Sequence, residues 1–133
     1  MTSLLLEKLT QAPRTSELAA VARDAILAIR LHLTYRHSGV DSLGPLSRRL
    51  GGGEAALRHI HVAGAMASIW PEIFTLSPPC CPCLSHDEAL LGNLIEAVAN
   101  EDRARFDAES RDFLHDEARA ALWNMWDWAV RLG

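Results

Sequence analysis

The residues best equipped for chemistry are three cysteines within four positions, Cys80, Cys81 and Cys83, followed closely by His86. In number and type they make a Cys₃His set for zinc. A thiolate just ahead of a helix also gains stability from the helix N-terminus, which would suit a redox sensor. Spacing argues the other way. Structural zinc sites draw their ligands from two separated knuckles, whereas here prolines 78, 79 and 82 stiffen the intervening backbone. Adjacent cysteines such as Cys80 and Cys81 point apart, and His86 would stand in the first turn of a helix. The preferred reading is of small, apolar thiols packed where a tight crossover leaves little room, with no bound metal or cofactor. A metal-binding or thiol redox sensor built on Cys80, Cys81, Cys83 and His86 is the alternative.

Other constellations lead no further. The chain has six histidines but no His-Glu-x-x-His. His59 and His61 stand two apart, on nearly opposite sides of a helix, so they cannot grip one ion together. His59 falls on the apolar side and His61 on the polar strip, while His32 lies near an apolar face with Arg36 at the next turn. Each inward histidine reads as a satisfied core residue. The carboxylates cluster between 101 and 117 among arginines, not in a shared cleft, and Asp24 faces off the apolar stripe of its helix. There is no Gly-x-Ser-x-Gly elbow and no Ser-x-x-Lys element. Gly51-Gly52-Gly53 lacks the Lys-Ser/Thr of a phosphate loop and the preceding strand of a dinucleotide site, so it reads as a helix-helix turn. No catalytic residue is assigned, and a non-enzymatic protein is expected.

The elements that position these residues are helices. Ala and Leu supply 40 of the 133 residues, against 16 for Val, Ile and Thr together. That length, 49% hydrophobic, is one domain, 1–133, able to bury about two-thirds of its unfolded surface. The net charge of −4 excludes a general phosphate-backbone binder, and Arg48-Arg49, the one adjacent basic pair, reads as a solvated face; no nucleic-acid contact is expected. No apolar run is long enough to span a membrane. The N-terminus has no basic segment ahead of an apolar run, and clustered cysteines do not make a secreted disulfide framework, so the cytoplasm is the expected compartment.

Along the chain, a short turn is expected over 4–9. A long helix follows from caps at Thr15 or Ser16 to about 36, with Leu18, Ala22, Ala25, Ile26, Ile29 and Leu33 inward and Arg23, Arg30 and Thr34 opposite. Gly39 ends it, and Asp41 or Ser42 caps a short helix reaching 50. The next helix, 54–70, is apolar around most of its circumference, with only Glu54, Arg58, His61 and Ser68 polar. It is expected at the centre of the bundle, its Ala63-Gly64-Ala65 run admitting a close neighbour. Beyond Pro71 the chain stays irregular to about 84, anchored by Ile73, Phe74 and Leu76. Ser85-His-Asp-Glu88 is a capping box opening a helix to about 99. The stretch 101–119 reads as a solvated helix with Glu101–Arg105 and Asp107–Arg111 pairs.

The last helix, 116–132, holds three of the four tryptophans. Leu122, Met125, Trp126 and Ala129 form one stripe, flanked by Trp123 and Val130 on one side and by Trp128 and Leu132 on the other. An arc that wide exceeds one layer of core packing, and terminal aromatic residues suit an interface. A symmetric dimer burying Trp123 or Trp128 is therefore expected.

Pro79-Cys-Cys-Pro-Cys-Leu-Ser-His86 and the Asp87-Glu-Ala-Leu-Leu91 run behind it resemble small uncharacterised all-helical bacterial proteins with a Pro-Cys-Cys-Pro loop ahead of a capped helix. The resemblance implies an all-α fold and carries no activity, catalytic residue or cofactor. The expected architecture is an irregular bundle of five to seven helices interrupted by the Pro/Cys crossover. Its expected role is protein–protein contact, as a homodimer or with a further protein partner. Bundles also host small-ligand pockets that leave no mark in the sequence.

Overall fold

The computed structural model describes residues 13–78 and 80–131; the turn expected over 4–9 lies outside them. Among the described residues there are six α-helices: α1 (Ala20–His37), α2 (Leu43–Leu50), α3 (Gly53–Ile69), α4 (His86–Ala99), α5 (Arg103–Ser110) and α6 (Asp116–Arg131). The all-α bundle of five to seven helices is what the chain forms. No helix is long and apolar enough to cross a membrane among the described residues.

The four long helices close a ring, α1 against α4, α4 against α6, α6 against α3 and α3 against α1. Ile26, Val62, Leu94, Ile95, Leu122 and Trp126 fill its middle, all fully buried. Helix α2 seals a smaller cluster of Ala28, Leu46 and Ala56 between α1 and α3, and α5 closes the other side against α4 and α6. The α3 helix thus shares the centre with three others. Of its small-residue run Ala63 lies in the core, while Gly64 faces open space: a Cβ there would touch nothing within 4 Å. The tight approach is at Gly92 of α4, where a Cβ would lie 2.8 Å from Leu18 Cδ2.

Helix α1 begins later than its sequence caps imply. Thr15–Glu17 is a single 3-10 turn, because the Thr15 N–H donates to the Pro82 carbonyl at 2.8 Å and the Leu84 N–H to the Pro13 carbonyl at 2.7 Å. Pinned to the crossover, this segment cannot start the helix. The exposed N–H of Ala19 is instead taken by Glu96 Oε1 of α4, at 2.6 Å. At the other end Gly39 adopts φ +71°, the left-handed conformation that stops a helix. Asp41 Oδ1 accepts from the Leu43 N–H ahead of α2, whereas Ser42 turns its hydroxyl to His32.

The ion pairs of α5 differ from those expected. Glu101 sits at φ +56° outside the helix and reaches Arg131, so it cannot meet Arg105 one turn on. Arg105 pairs with Glu109 and Glu96 instead, and Asp107 with Arg103 and Arg119. Although the surface of α5 is charged, Phe106 anchors it in full burial.

Candidate functional site

Two places in this scaffold gather polar and aromatic side chains, and they are built differently. The first is the crossover of 70–85. Its prolines deny it a hydrogen-bonded ladder, so its backbone groups need side-chain partners. The first turn of α4 provides them. The Ser85 hydroxyl caps the Glu88 N–H at 3.0 Å and donates to the Thr75 carbonyl, while Glu88 Oε1 accepts the Ser85 N–H at 2.8 Å, completing the capping box. Asp87 accepts from the Thr75 N–H, and Glu88 Oε2 accepts from the Ser77 N–H.

Arg30 completes the arrangement. Expected opposite the apolar stripe of α1, it is instead 1% exposed. Its Nε and Nη2 fork onto Glu88 at 2.6 and 2.8 Å, and its Nη1 and Nη2 donate to the carbonyls of Cys81 and Cys83 at 2.8 and 2.9 Å. Burial alone would raise the Glu88 carboxyl, but the hydrogen bonds from Arg30, Ser85 and Ser77 prevail and hold it below the usual carboxylate range. The same bond to Glu88 raises the Arg30 guanidinium still further. Cys81 and Cys83 therefore serve the network through their carbonyls, and none of the three thiols is packed into the core as expected. Cys80 is exposed, Cys81 and Cys83 are half-buried, and His86 stands exposed as the first residue of α4. Among the described residues, no three His, Cys, Asp or Glu side chains come together where they could hold a metal ion. Phe74 and Leu76 pack on the core as expected, but Ile73 is 93% exposed, since the turn after Pro71 swings it outward.

The second place is the outer face shared by α3 and α6. Their packing sets His61 edge-on to Trp128, with ring centres 5.7 Å apart, and carries the Arg58 guanidinium over the Trp128 ring at 5.8 Å. Arg58 donates to Glu54 Oε1, one turn back, at 2.5 Å. The periodicity of α3 assigns Arg58 to the polar strip; covered by Trp128, it is buried, and its Nη1 has no partner. Leu57 (56%) and Trp128 (41%) remain exposed beside it. A groove of about 540 Å³ runs between Glu54, Leu57, His61 and Trp128, and a second of about 290 Å³ continues along Asn124 and Met125.

The two flanking tryptophans of α6 thus differ. Trp123 is half-buried, edge-on to Phe106 at 5.2 Å and beneath the Arg103 guanidinium at 5.3 Å, so its ring has partners within the chain. Trp126 is wholly buried against His59, and Trp128 faces outward. The inward histidines are satisfied at one nitrogen each: His32 Nδ1 by the Ser42 hydroxyl at 2.7 Å, and His59 Nδ1 by the Ala55 carbonyl at 2.8 Å. Burial lowers the pKa of both rings.

Sequence reasoning missed Arg30 and the burial of Arg58. The one available signal was Glu54 four residues before Arg58; nothing local pairs Arg30 with a residue 58 positions away. The chain matches no family model, no curated protein and no solved structure.

Proposed function

We propose that this chain is a non-enzymatic helical domain that works through protein–protein contact, as a homodimer joined across the Leu57–Trp128 face. The observation that carries this reading is an exposed tryptophan and an exposed leucine standing together on the α3–α6 face beside a groove. Exposed aromatic and aliphatic side chains beside an arginine are the composition of an interface centre. A second copy fits because the face is complementary to itself. It carries Leu57 and Trp128 as its exposed apolar pair with the acid Glu54 at the edge, so a two-fold related copy buries the same apolar pair on both protomers. Trp123, held by Phe106 and Arg103, is assigned to the protomer's own packing.

Light scattering at micromolar concentration is expected to give twice the chain mass of 14.6 kDa. Trp128→Glu is expected to yield a folded monomer, and Trp123→Glu to lose stability without this selective effect on association. A monomeric wild type, or a Trp128→Glu protein that still dimerises, would overturn the proposal. Stoichiometric zinc in untagged protein would favour the cysteine-loop alternative instead.

A further inference from the structure

His59 is 7% exposed, yet only one of its ring nitrogens is used. Because Nδ1 points at the Ala55 carbonyl, it carries the ring proton, and Nε2 is left as a bare acceptor. Burial, the largest influence on this ring, favours the neutral form. Nε2 has no hydrogen-bond partner among the described residues, and it is not among the atoms sealed from solvent. The ring lines a cleft of about 310 Å³, open to solvent, between α1, α3 and α6, with Leu50 of α2 in its wall. Its other walls include Val21, Ala129 and Val130, and its second polar side chain is Asp24 of α1. Asp24 is half-buried, and its carboxylate has no hydrogen bond or ion pair among the described residues.

Two acceptors and no side-chain donor line an otherwise apolar cleft, so a ligand complementary to it brings N–H donors, positive charge and a short apolar body. We propose that this cleft binds a small organic cation of the primary alkylammonium class. The ammonium donates to the Asp24 carboxylate and to His59 Nε2, and the alkyl chain lies against Val21, Leu50, Ala129 and Val130. A cleft of this size takes a short alkyl chain with its ammonium at the two acceptors. Arg58, the neighbouring cation, is held away by Glu54 and Trp128. A metal ion is the poorer occupant, because His59 and Asp24 supply two ligands where zinc takes three or four from protein. This inference goes beyond the dimer reading and does not depend on it.

The test is a titration of the full chain with n-butylammonium, n-butanol and butyrate in parallel, following the His59 ring signals by NMR. Saturable shifts with butylammonium are expected at millimolar concentrations, with butanol and butyrate at least about tenfold weaker, a difference of ~1.4 kcal/mol. Asp24→Asn, at a half-exposed site, is expected to keep the fold by circular dichroism and to weaken butylammonium by about tenfold or more. His59→Gln, which retains an acceptor, is expected to bind better than His59→Phe. The proposal falls if butylammonium produces no saturable shift up to tens of millimolar, or if the alcohol or the acid binds as well. Unchanged affinity in Asp24→Asn would also overturn it, as would stoichiometric zinc binding at the His59 ring.

Discussion

Arg30 and Arg58 are both buried arginines paired with glutamates, and their surroundings could hardly differ more. Arg30 has four hydrogen bonds to Glu88, Cys81 and Cys83, and its glutamate is as buried as itself. Arg58 has one bond to a glutamate whose side chain is 81% exposed, one nitrogen without a partner, and a half-exposed tryptophan for cover. A buried network whose members bond one another holds chain segments in one arrangement. A pair at the edge of exposed apolar groups leaves those groups to gain by association. The contrast separates the structural part of this molecule, the crossover, from the part proposed to act.

The largest expected effect tests that contrast directly. Arg30→Met strands Glu88 and removes the donors to two crossover carbonyls, so it is expected to cost about 3–5 kcal/mol in urea denaturation. Arg58→Met is expected to cost about 1 kcal/mol or less, because Glu54 is already in water. Equal costs would erase the distinction. The Arg30→Met/Glu88→Leu pair is expected to be less harmful than the sum of its single changes, since no charge is left stranded.

Next comes packing. Gly92→Leu in α4 must displace Leu18 and is expected to cost about 1–3 kcal/mol. Gly64→Leu in α3 meets open space and is expected to gain up to about 1 kcal/mol from helix propensity. A destabilised Gly64→Leu would mean that α3 has a neighbour there after all.

The pH dependence follows with a smaller reach. Glu88 has a lowered folded pKa, so its stabilisation is present above the ordinary value of 4.5 and is lost as pH falls below it. The Arg30→Met/Glu88→Leu pair is expected to flatten that acid limb. His59 and His32, also lowered, stay neutral in the fold while the unfolded chain takes up protons below 6.5. Stability is therefore complete above 6.5 and declines as pH drops through it, by at most about 1.4 kcal/mol per pH unit for each ring. His59→Gln is expected to remove its share. An acid limb unchanged in both variants would place the titrating groups elsewhere.

A small effect on stability is expected at the open face. Trp128→Glu is expected to cost the protomer about 1 kcal/mol or less, for the lost Arg58 and His61 contacts, while abolishing the dimer, so stability and association are to be measured separately.

What the sequence determined by itself is what depends on neighbours a few residues apart. Helical period and capping chemistry act over one or two turns, so the existence of six helices, the left-handed stop at Gly39 and the Ser85–Glu88 box were legible. The helix expected over 101–119, however, is only Arg103–Ser110, and α1 starts at Ala20. The wide apolar arc of α6 was legible too, as was the inward turn of His59. Tertiary structure alone decided which tryptophan is covered, because that depends on Phe106 and Arg103 meeting Trp123 from another helix. It also gave Glu88 a second partner. The capping box already accounted for that residue, and Arg30 stands on the flank of a stripe whose period marks it as solvent-facing. Only the fold brings the two together across 58 positions, where a charge buried without its counterion would be too costly to keep. The same holds for Asp24 and His59: each looks ordinary on its own helix, and their meeting in one cleft follows from how α1 and α3 pack, which no local pattern encodes.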